Sequence, residues 1–192
     1  MNWLIALLKW RGPMSSKMRL STASGMWLIA ALALAAAGCG SVSNSAQFEP
    51  GFTPKADMRI EVGPVTNDTG QTFDVNIQQM FTDALTERLQ TDNLLWTAGL
   101  PPDHLIIATQ IVEYDPGNAF KRWLLPGYGS TVITLHCELK DSTSGKLIGS
   151  VDAHRTVSFG GAYTIGAWKT IFASVAKDVV TDLRSQIPTA VS

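Results

Sequence analysis

The 192-residue sequence has few of the features that nucleic-acid binding or disulfide chemistry requires. It contains only two cysteines, and its basic residues form no cluster beyond the pair Lys121-Arg122. Residues 1–38 hold four basic residues and no acidic one, so the remaining chain carries 11 basic and 16 acidic residues, a net charge of −5. An acidic surface repels a phosphate backbone. We therefore expect no nucleic-acid partner.

Motifs of common catalytic chemistry are also missing. Gly127-Tyr128-Gly129-Ser130 lacks the following glycine that a nucleophile elbow requires. Gly160-Gly161 precedes a predicted helix, but no G-x-G-x-x-G or Walker pattern surrounds it. A strand end that needs an unusual backbone angle explains this glycine pair. We expect no enzyme activity and no cofactor.

The three histidines do not predict a metal site. His136 and His154 share a predicted polar sheet face with Glu138 and Asp152. In the predicted pairing the two histidines lie four residues apart, roughly 13 Å, too far to share a metal ion. His104 has no evident partner. We expect all three to be solvated surface residues.

No apolar run reaches the roughly 20 residues that a membrane-spanning helix needs. The apolar run at 26–37 is shorter and follows Lys17 and Arg19, which is the layout of a secretory signal. It ends in Ala36-Ala37-Gly38-Cys39, which resembles the lipobox of bacterial lipoproteins, although the position of Ala36 usually holds leucine. An ordinary signal peptide or an uncleaved anchor is the alternative.

The lipobox resemblance implies cleavage before Cys39 and acylation of that cysteine, with palmitate among the attached chains. Residues 1–38 are then a signal peptide, whose true start is Met14 or Met18 if the first residues are not translated. Gly40 stands where an aspartate would retain a lipoprotein in the inner membrane. We therefore expect an outer-membrane anchor with the domain in the periplasm, and multiple acyl chains hold such an anchor stably.

After Cys39, residues 40–56 are rich in serine, proline and glycine and indicate a flexible tether. The domain is predicted over 57–187. Apolar periodicity predicts strands at 58–62 and 104–112, helices at 75–90 and 167–186, and a strand hairpin around 141–146. The order β-α-β-β-β-α predicts an α+β two-layer sandwich, with a mainly antiparallel four-stranded sheet and both helices on one face.

Two details of this fold follow from single residues. Asp74 is placed to cap the first helix, and Gly145 suits a left-handed turn position. In the hairpin, the apolar residues share a face only if paired residue numbers sum to an even value. This register leaves Thr134, His136, Glu138, Ser150, Asp152 and His154 on the polar face, and it makes Cys137 a buried structural thiol.

The segment 114–129 is long for a connection between strands in a small domain, and such loops are often functional. Pro116-Gly117 and Pro126-Gly127 bracket AFKRWLL, which predicts one or two helical turns. Aromatic and basic side chains together suit a protein interface or a lipid headgroup surface. The alternative is that Phe120 and Trp123 fold back over the core. The candidate interaction residues are Phe120, Lys121, Arg122, Trp123, Leu124 and Tyr128.

The same segment, with its NAFKRWLLPGYG run, resembles the bacterial lipoproteins grouped under domain of unknown function 4410. The later run VSFGGAY, at 157–163, resembles the second block of that family. The resemblance covers most of residues 57–187 and implies a lipoprotein, but it implies no activity.

Three functions remain open. The first is a non-enzymatic envelope lipoprotein that binds another protein, as an accessory in assembly or transport. The second is self-association into a ring or pore-like assembly, which similarity of the element order to other envelope lipoprotein domains suggests. The third is a small hydrolase, which would need His136, His154, Glu138 and Asp152 to cluster.

Overall fold

The computed structural model describes residues 41–125, 128–158 and 166–187; within this part, the side chains of Ala119, Arg122 and Trp123 are outside the description. The signal peptide, Cys39 and Gly160-Gly161 therefore lie outside the described residues. The elements are β1 (Val42–Phe48), β2 (Ile60–Asn67), α1 (Ile77–Thr91), β3 (Leu105–Asp115), α2 (Ala119–Leu124), β4 (Thr131–Asp141), β5 (Leu147–Val157) and α3 (Ala167–Gln186).

The strands form one five-stranded sheet in the order β1-β5-β4-β3-β2. The pair β2–β3 is parallel and the other three pairs are antiparallel. Helices α1 and α3 contact each other and share one core with a single face of the sheet. The predicted α+β class is confirmed, whereas the predicted four-stranded sheet is wrong because it lacks β1.

Strand β1 lies in the segment predicted to be a flexible tether. It pairs along its whole length with β5, from Val42 opposite Arg155 to Phe48 opposite Gly149. Burial alternates along β1: Asn44, Ala46 and Phe48 are partly buried toward the helices, and the residues between them are exposed. The sequence does not show this alternation, because most residues of β1 on both faces are small or polar. Residues 42–48 of the predicted tether therefore belong to the sheet.

The β4–β5 hairpin has the predicted even register, with Leu135 opposite Ala153. The pairing register shifts by one residue after Leu139, close to the turn. Gly145 has φ of +69°, as predicted, and Asp141 Oδ1 accepts hydrogen bonds from the backbone and hydroxyl of Ser144 at 2.7 and 2.6 Å. The turn chemistry and the apolar pattern therefore specify the same hairpin.

Strand β3 contains a bulge at Val112. Ile111 pairs with Leu135, whereas Glu113 pairs with Thr134, so Val112 is the extra residue. A bulge shifts the alternation by one position. Tyr114 consequently points into the core, where its ring lies 5.2 Å from that of Phe172. Its hydroxyl donates to the Trp168 carbonyl at 2.8 Å, and burial raises the pKa of Tyr114 to about 12.

Both helices lie close to their predicted positions. Helix α3 has the predicted bounds, but its Trp168 is 37% exposed while Ile171 and Phe172 are buried. The predicted cap Asp74 is wrong: α1 begins two residues later, and Asn76 Oδ1 accepts from the Gln79 backbone at 2.9 Å. In the part of the chain that the structure describes, no helix has the length and apolarity to cross a membrane.

The packing of β1 predicts the effect of Phe48→Ala. The ring of Phe48 packs against the core and lies 5.3 Å from the ring of Phe52. We expect the substitution to lower the free energy of unfolding by about 1–3 kcal/mol, below the cost of a fully buried phenylalanine because Phe48 is only partly buried. Urea unfolding followed by circular dichroism measures this loss. The control Gln47→Ala changes an exposed neighbour in the same strand, and equal stability of both variants would contradict an ordered β1.

Candidate functional site

The segment between β3 and β4 is held in place by a hydrogen-bonded frame. Asp115 Oδ1 accepts from the Gly117 backbone at 2.7 Å, and the Asn118 backbone donates to the Gly129 carbonyl at 2.8 Å. Asn118 Oδ1 caps α2 by accepting from the Lys121 backbone at 3.0 Å. These hydrogen bonds hold the two ends of the loop next to each other, as in a compact surface loop.

Gly129 is required where the two ends of the loop meet. Its φ is +69°, and an added Cβ would lie 2.7 Å from the Asn118 carbonyl oxygen and 2.8 Å from Lys121 Cβ. A second contact joins the two ends of the loop, because the buried Thr131 hydroxyl donates a hydrogen bond to the Pro116 carbonyl at 2.9 Å. These contacts hold the two ends of the loop, at Pro116–Asn118 and Gly129–Thr131, close to each other.

Four of the six predicted loop residues have side chains that the structure describes, and all four are exposed to solvent. Phe120 and Tyr128 are each 67% exposed, Leu124 is 58% exposed, and Lys121 is exposed. Leu125, which is not among the predicted residues, is 54% exposed and follows Leu124 directly. Exposure of Phe120 argues against its predicted alternative as a cap of the core. We call Phe120, Lys121, Leu124, Leu125 and Tyr128 the loop patch.

Arg122 and Trp123 belong to α2 by their backbone. Their side chains lie outside the described residues, so the predicted roles of these two side chains stay predictions.

The face of the sheet opposite the helices carries a fixed polar array, and the predicted spacing of its histidines is wrong. His136 pairs with Asp152 and Thr134 pairs with His154, so the histidines are two residues apart rather than four. His136 Nδ1 lies 2.7 Å from Asp152 Oδ1. Alternation fixes only whether the register is even, whereas the turn length selects which even register forms.

His154 is held by its neighbours through both ring nitrogens. The Thr134 hydroxyl donates to Glu113 Oε2 at 2.7 Å, which leaves its oxygen to accept from His154 Nδ1 at 2.9 Å. His154 Nε2 lies 3.0 Å from the Thr156 hydroxyl. Within residues 41–125, 128–158 and 166–187, no three metal-binding side chains converge.

His104 is not a solvated surface residue as predicted. It is 8% exposed, its Nδ1 lies 2.7 Å from the Pro102 carbonyl, and its Nε2 lies 2.8 Å from Glu61 Oε2. Its ring stacks on that of Trp96 at 4.0 Å. No local pattern of residues predicts this contact, because Glu61 and Trp96 reach His104 from other segments of the chain. His104 therefore links the start of β3 to β2, at the end of the sheet opposite the loop patch.

The family of the chain follows from residues 66–161, half of its length, which match the family described as domain of unknown function (DUF4410). The chain belongs to the DUF4410 family. The match includes the loop and the β4–β5 hairpin, as the sequence resemblance predicts. No curated protein matches the sequence.

Several solved structures are similar to this DUF4410 protein at low sequence identity. A PelC dodecamer from Paraburkholderia phytofirmans is 14% identical, with a TM-score of 0.53 over 78% of this chain and 100% of that chain. A variant PelC dodecamer from the same organism gives a TM-score of 0.54 over the same shares, also at 14% identity. Lipoprotein GNA1162 from Neisseria meningitidis is 15% identical, with a TM-score of 0.32 over 65% of this chain and 99% of that chain. The two PelC structures support the fold alone.

The DUF4410 domain buries the thiol that could have acted as a nucleophile. Cys137 is fully buried on the helix side of β4, and its sulfur accepts a hydrogen bond from the Thr109 hydroxyl at 3.4 Å. Burial raises the pKa of Cys137 to about 12. Because a thiolate rather than a thiol is the nucleophile, burial makes Cys137 a poor nucleophile, and its predicted burial is confirmed.

Burial predicts that Cys137 reacts with alkylating reagents only after the domain opens. At pH 8 we expect iodoacetamide to leave Cys137 unmodified in the folded DUF4410 domain and to modify it fully in denaturant, as measured by peptide mass spectrometry. The matched control Ser150→Cys places a thiol on the open face of the neighbouring strand, where it should react without denaturant. Rapid native modification of Cys137 would contradict the buried thiol.

Proposed function

We propose that this DUF4410 protein is a non-enzymatic accessory lipoprotein of the cell envelope that binds another protein in assembly or transport. The observation that carries the proposal is the open face of the sheet, meaning the face opposite the helices. It is five strands wide, and its histidines are already held by hydrogen bonds. The partner is a protein that offers hydrogen-bonding groups to this face.

The size of the open face supports a protein partner. Five strands about 4.8 Å apart, each roughly 25–35 Å long, present an area on the order of 700 Å². This approaches the roughly 800 Å² that each side contributes to a standard protein interface. The short side chains of Ser43 and Ser45 and the hydrogen-bonded histidines lose little conformational entropy when a partner binds.

The proposed location follows from the sequence motif. Cys39 in its lipobox-like setting would carry the acyl chains, and Gly40 favours the outer membrane over the inner one. The acidic chain beyond residue 38 suits an aqueous periplasmic domain. The protein then acts at the periplasmic side of the membrane that holds its anchor.

Photo-crosslinking in living cells tests the open face. A photoreactive residue at Gln110, in the middle of β3 and paired with His136, should give a discrete protein adduct. The control position is Glu87, which is exposed on the solvent side of α1. Adducts from Gln110 alone support the proposal, and their mass identifies the partner. Equal labelling from both positions would rule out the open face as the binding surface.

Self-association is the second candidate function, and the fold it shares with PelC dodecamers favours it. The edge strands β1 and β2 are poorly suited to pairing with a strand of a second copy. Pro64 removes a donor from β2 beside a bulge, and the Ala46 carbonyl in β1 accepts a hydrogen bond from Gln186. Copies would therefore meet through side chains, including those of the open face, rather than by pairing of edge strands.

A mass measurement separates the two candidates. We expect detergent-solubilised full chain to have the mass of one chain over a wide concentration range if it is an accessory protein with a different partner. Light scattering after size exclusion measures this mass. A stable multiple of the chain mass would instead favour self-association, and Gln110 adducts would then consist of two copies of this chain.

A further inference from the structure

The chain enters the domain at the end of the sheet that carries the loop patch. One row of paired residues crosses four strands through Val42, Arg155, Ile133 and Tyr114. The Thr156 backbone donates to the Ser41 carbonyl at 2.9 Å, which fixes the first described residue to this row. Tyr114 is one residue from the end of β3, after which the loop begins. The row is about 14 Å wide.

Exposed apolar side chains concentrate at this same end. Among the described residues, nine large hydrophobic side chains are exposed, and six of them lie here. The six are Val42, Phe120, Leu124, Leu125, Tyr128 and Trp168. Trp168 belongs to the group because its carbonyl accepts the Tyr114 hydroxyl.

The opposite end of the sheet has a different character. Lys55 and Asp103 form an exposed ion pair at 2.6 Å there, and Asp57 and Lys146 are also exposed. The end beside the chain entry is therefore marked by its exposed apolar side chains, although Asp68, Asp115 and Lys121 are also exposed there; the opposite end is called the charged end.

We infer that the loop patch inserts into the headgroup layer of the membrane that holds the acylated Cys39. This inference rests on the proposed lipid anchor. Cys39 precedes Ser41 by two residues, a reach of at most about 7 Å, so an anchor there holds this end of the domain at the membrane surface. Apolar side chains of interfacial segments enter a membrane by about 5–10 Å, so insertion of the exposed side chains of the loop patch needs no further part of the domain to enter.

The composition of the patch suits lipid more than a protein partner. Phe120 and the leucines supply apolar surface, Tyr128 adds a ring with a polar tip, and Lys121 offers a cation to lipid phosphates. A protein bound to this patch would have to fit between the domain and the membrane, where the short connection to Cys39 leaves little space. The anchor and the patch together would fix the tilt of the domain, which a lipid anchor alone does not.

A solvent-sensitive nitrobenzoxadiazole dye on a single introduced cysteine tests this inference in the full chain. Acylation blocks Cys39 and burial protects Cys137, so only the new cysteine is labelled. The test position is Leu124→Cys, with Tyr128→Cys as a second patch position. The control is Thr143→Cys, in the exposed turn at the charged end. The labelled chain is placed in vesicles of phosphatidylethanolamine and phosphatidylglycerol, and vesicle flotation checks the anchor.

We expect dye at both patch positions to shift its emission to the blue, to lose most of its quenching by aqueous iodide, and to be quenched by nitroxide-labelled lipids. Dye at position 143 should show none of these changes. If the chain floats with the vesicles but iodide quenches positions 124 and 143 equally, the membrane contact is wrong and the anchor stands. Protection from iodide without quenching by nitroxide lipids would also overturn it, in favour of a protein contact. A chain that fails to float overturns the anchor and the inference together.

Discussion

The register of the sheet is the constraint on which the rest of the structure depends. Each strand has one face toward the helices and one toward solvent, and a shift by one residue would exchange them. In β4 and β5 the even register buries Leu135 and Ala153 together and turns His136 and Asp152 outward. In β3 the alternation holds as far as Ile111, after which the bulge at Val112 returns Tyr114 to the core.

The bulge also connects the core to the loop. Because Tyr114 points inward, its hydroxyl reaches the first turn of α3 and ties the end of β3 to the helix layer. The chain then leaves the sheet through Asp115 and Pro116, whose hydrogen bonds form one side of the loop frame. A strand without the bulge would direct Glu113 into the core, where an unpaired carboxylate is costly. The position of the loop patch is thus set by packing several residues away.

The sequence predicted well where local chemistry and burial agree. The β4–β5 hairpin, the bounds of α3 and the buried Cys137 follow from alternation, turn residues and helical spacing. The loop was selected because its length and composition are unusual for a connection, and its exposed side chains are consistent with that selection. These features depend on residues that lie near one another in the chain.

The failures concern contacts between distant segments. Strand β1 was missed because a short edge strand buries little, so serine and asparagine can occupy it, and its stability comes from β5 more than 100 residues later. The contacts of His104 with Glu61 and Trp96 are likewise formed only in the folded domain. The spacing of His136 and His154 depended on the hairpin closure, which includes an irregularity after Leu139 that periodicity does not reveal.

The two proposed surfaces are geometrically compatible because they lie on different sides of the same sheet. If the strand ends at the loop patch rest on the membrane, the strands extend away from the membrane surface. The open face of the sheet then faces sideways, parallel to the membrane plane. A partner protein, or a second copy, could then approach within the plane of the membrane without displacing the anchor. An anchored domain free to tumble would present this face in all directions, whereas a domain held at two points presents it in a fixed orientation, which lowers the entropy cost of association. In the proposed arrangement, the loop patch would orient the domain and the open face would recognise the partner.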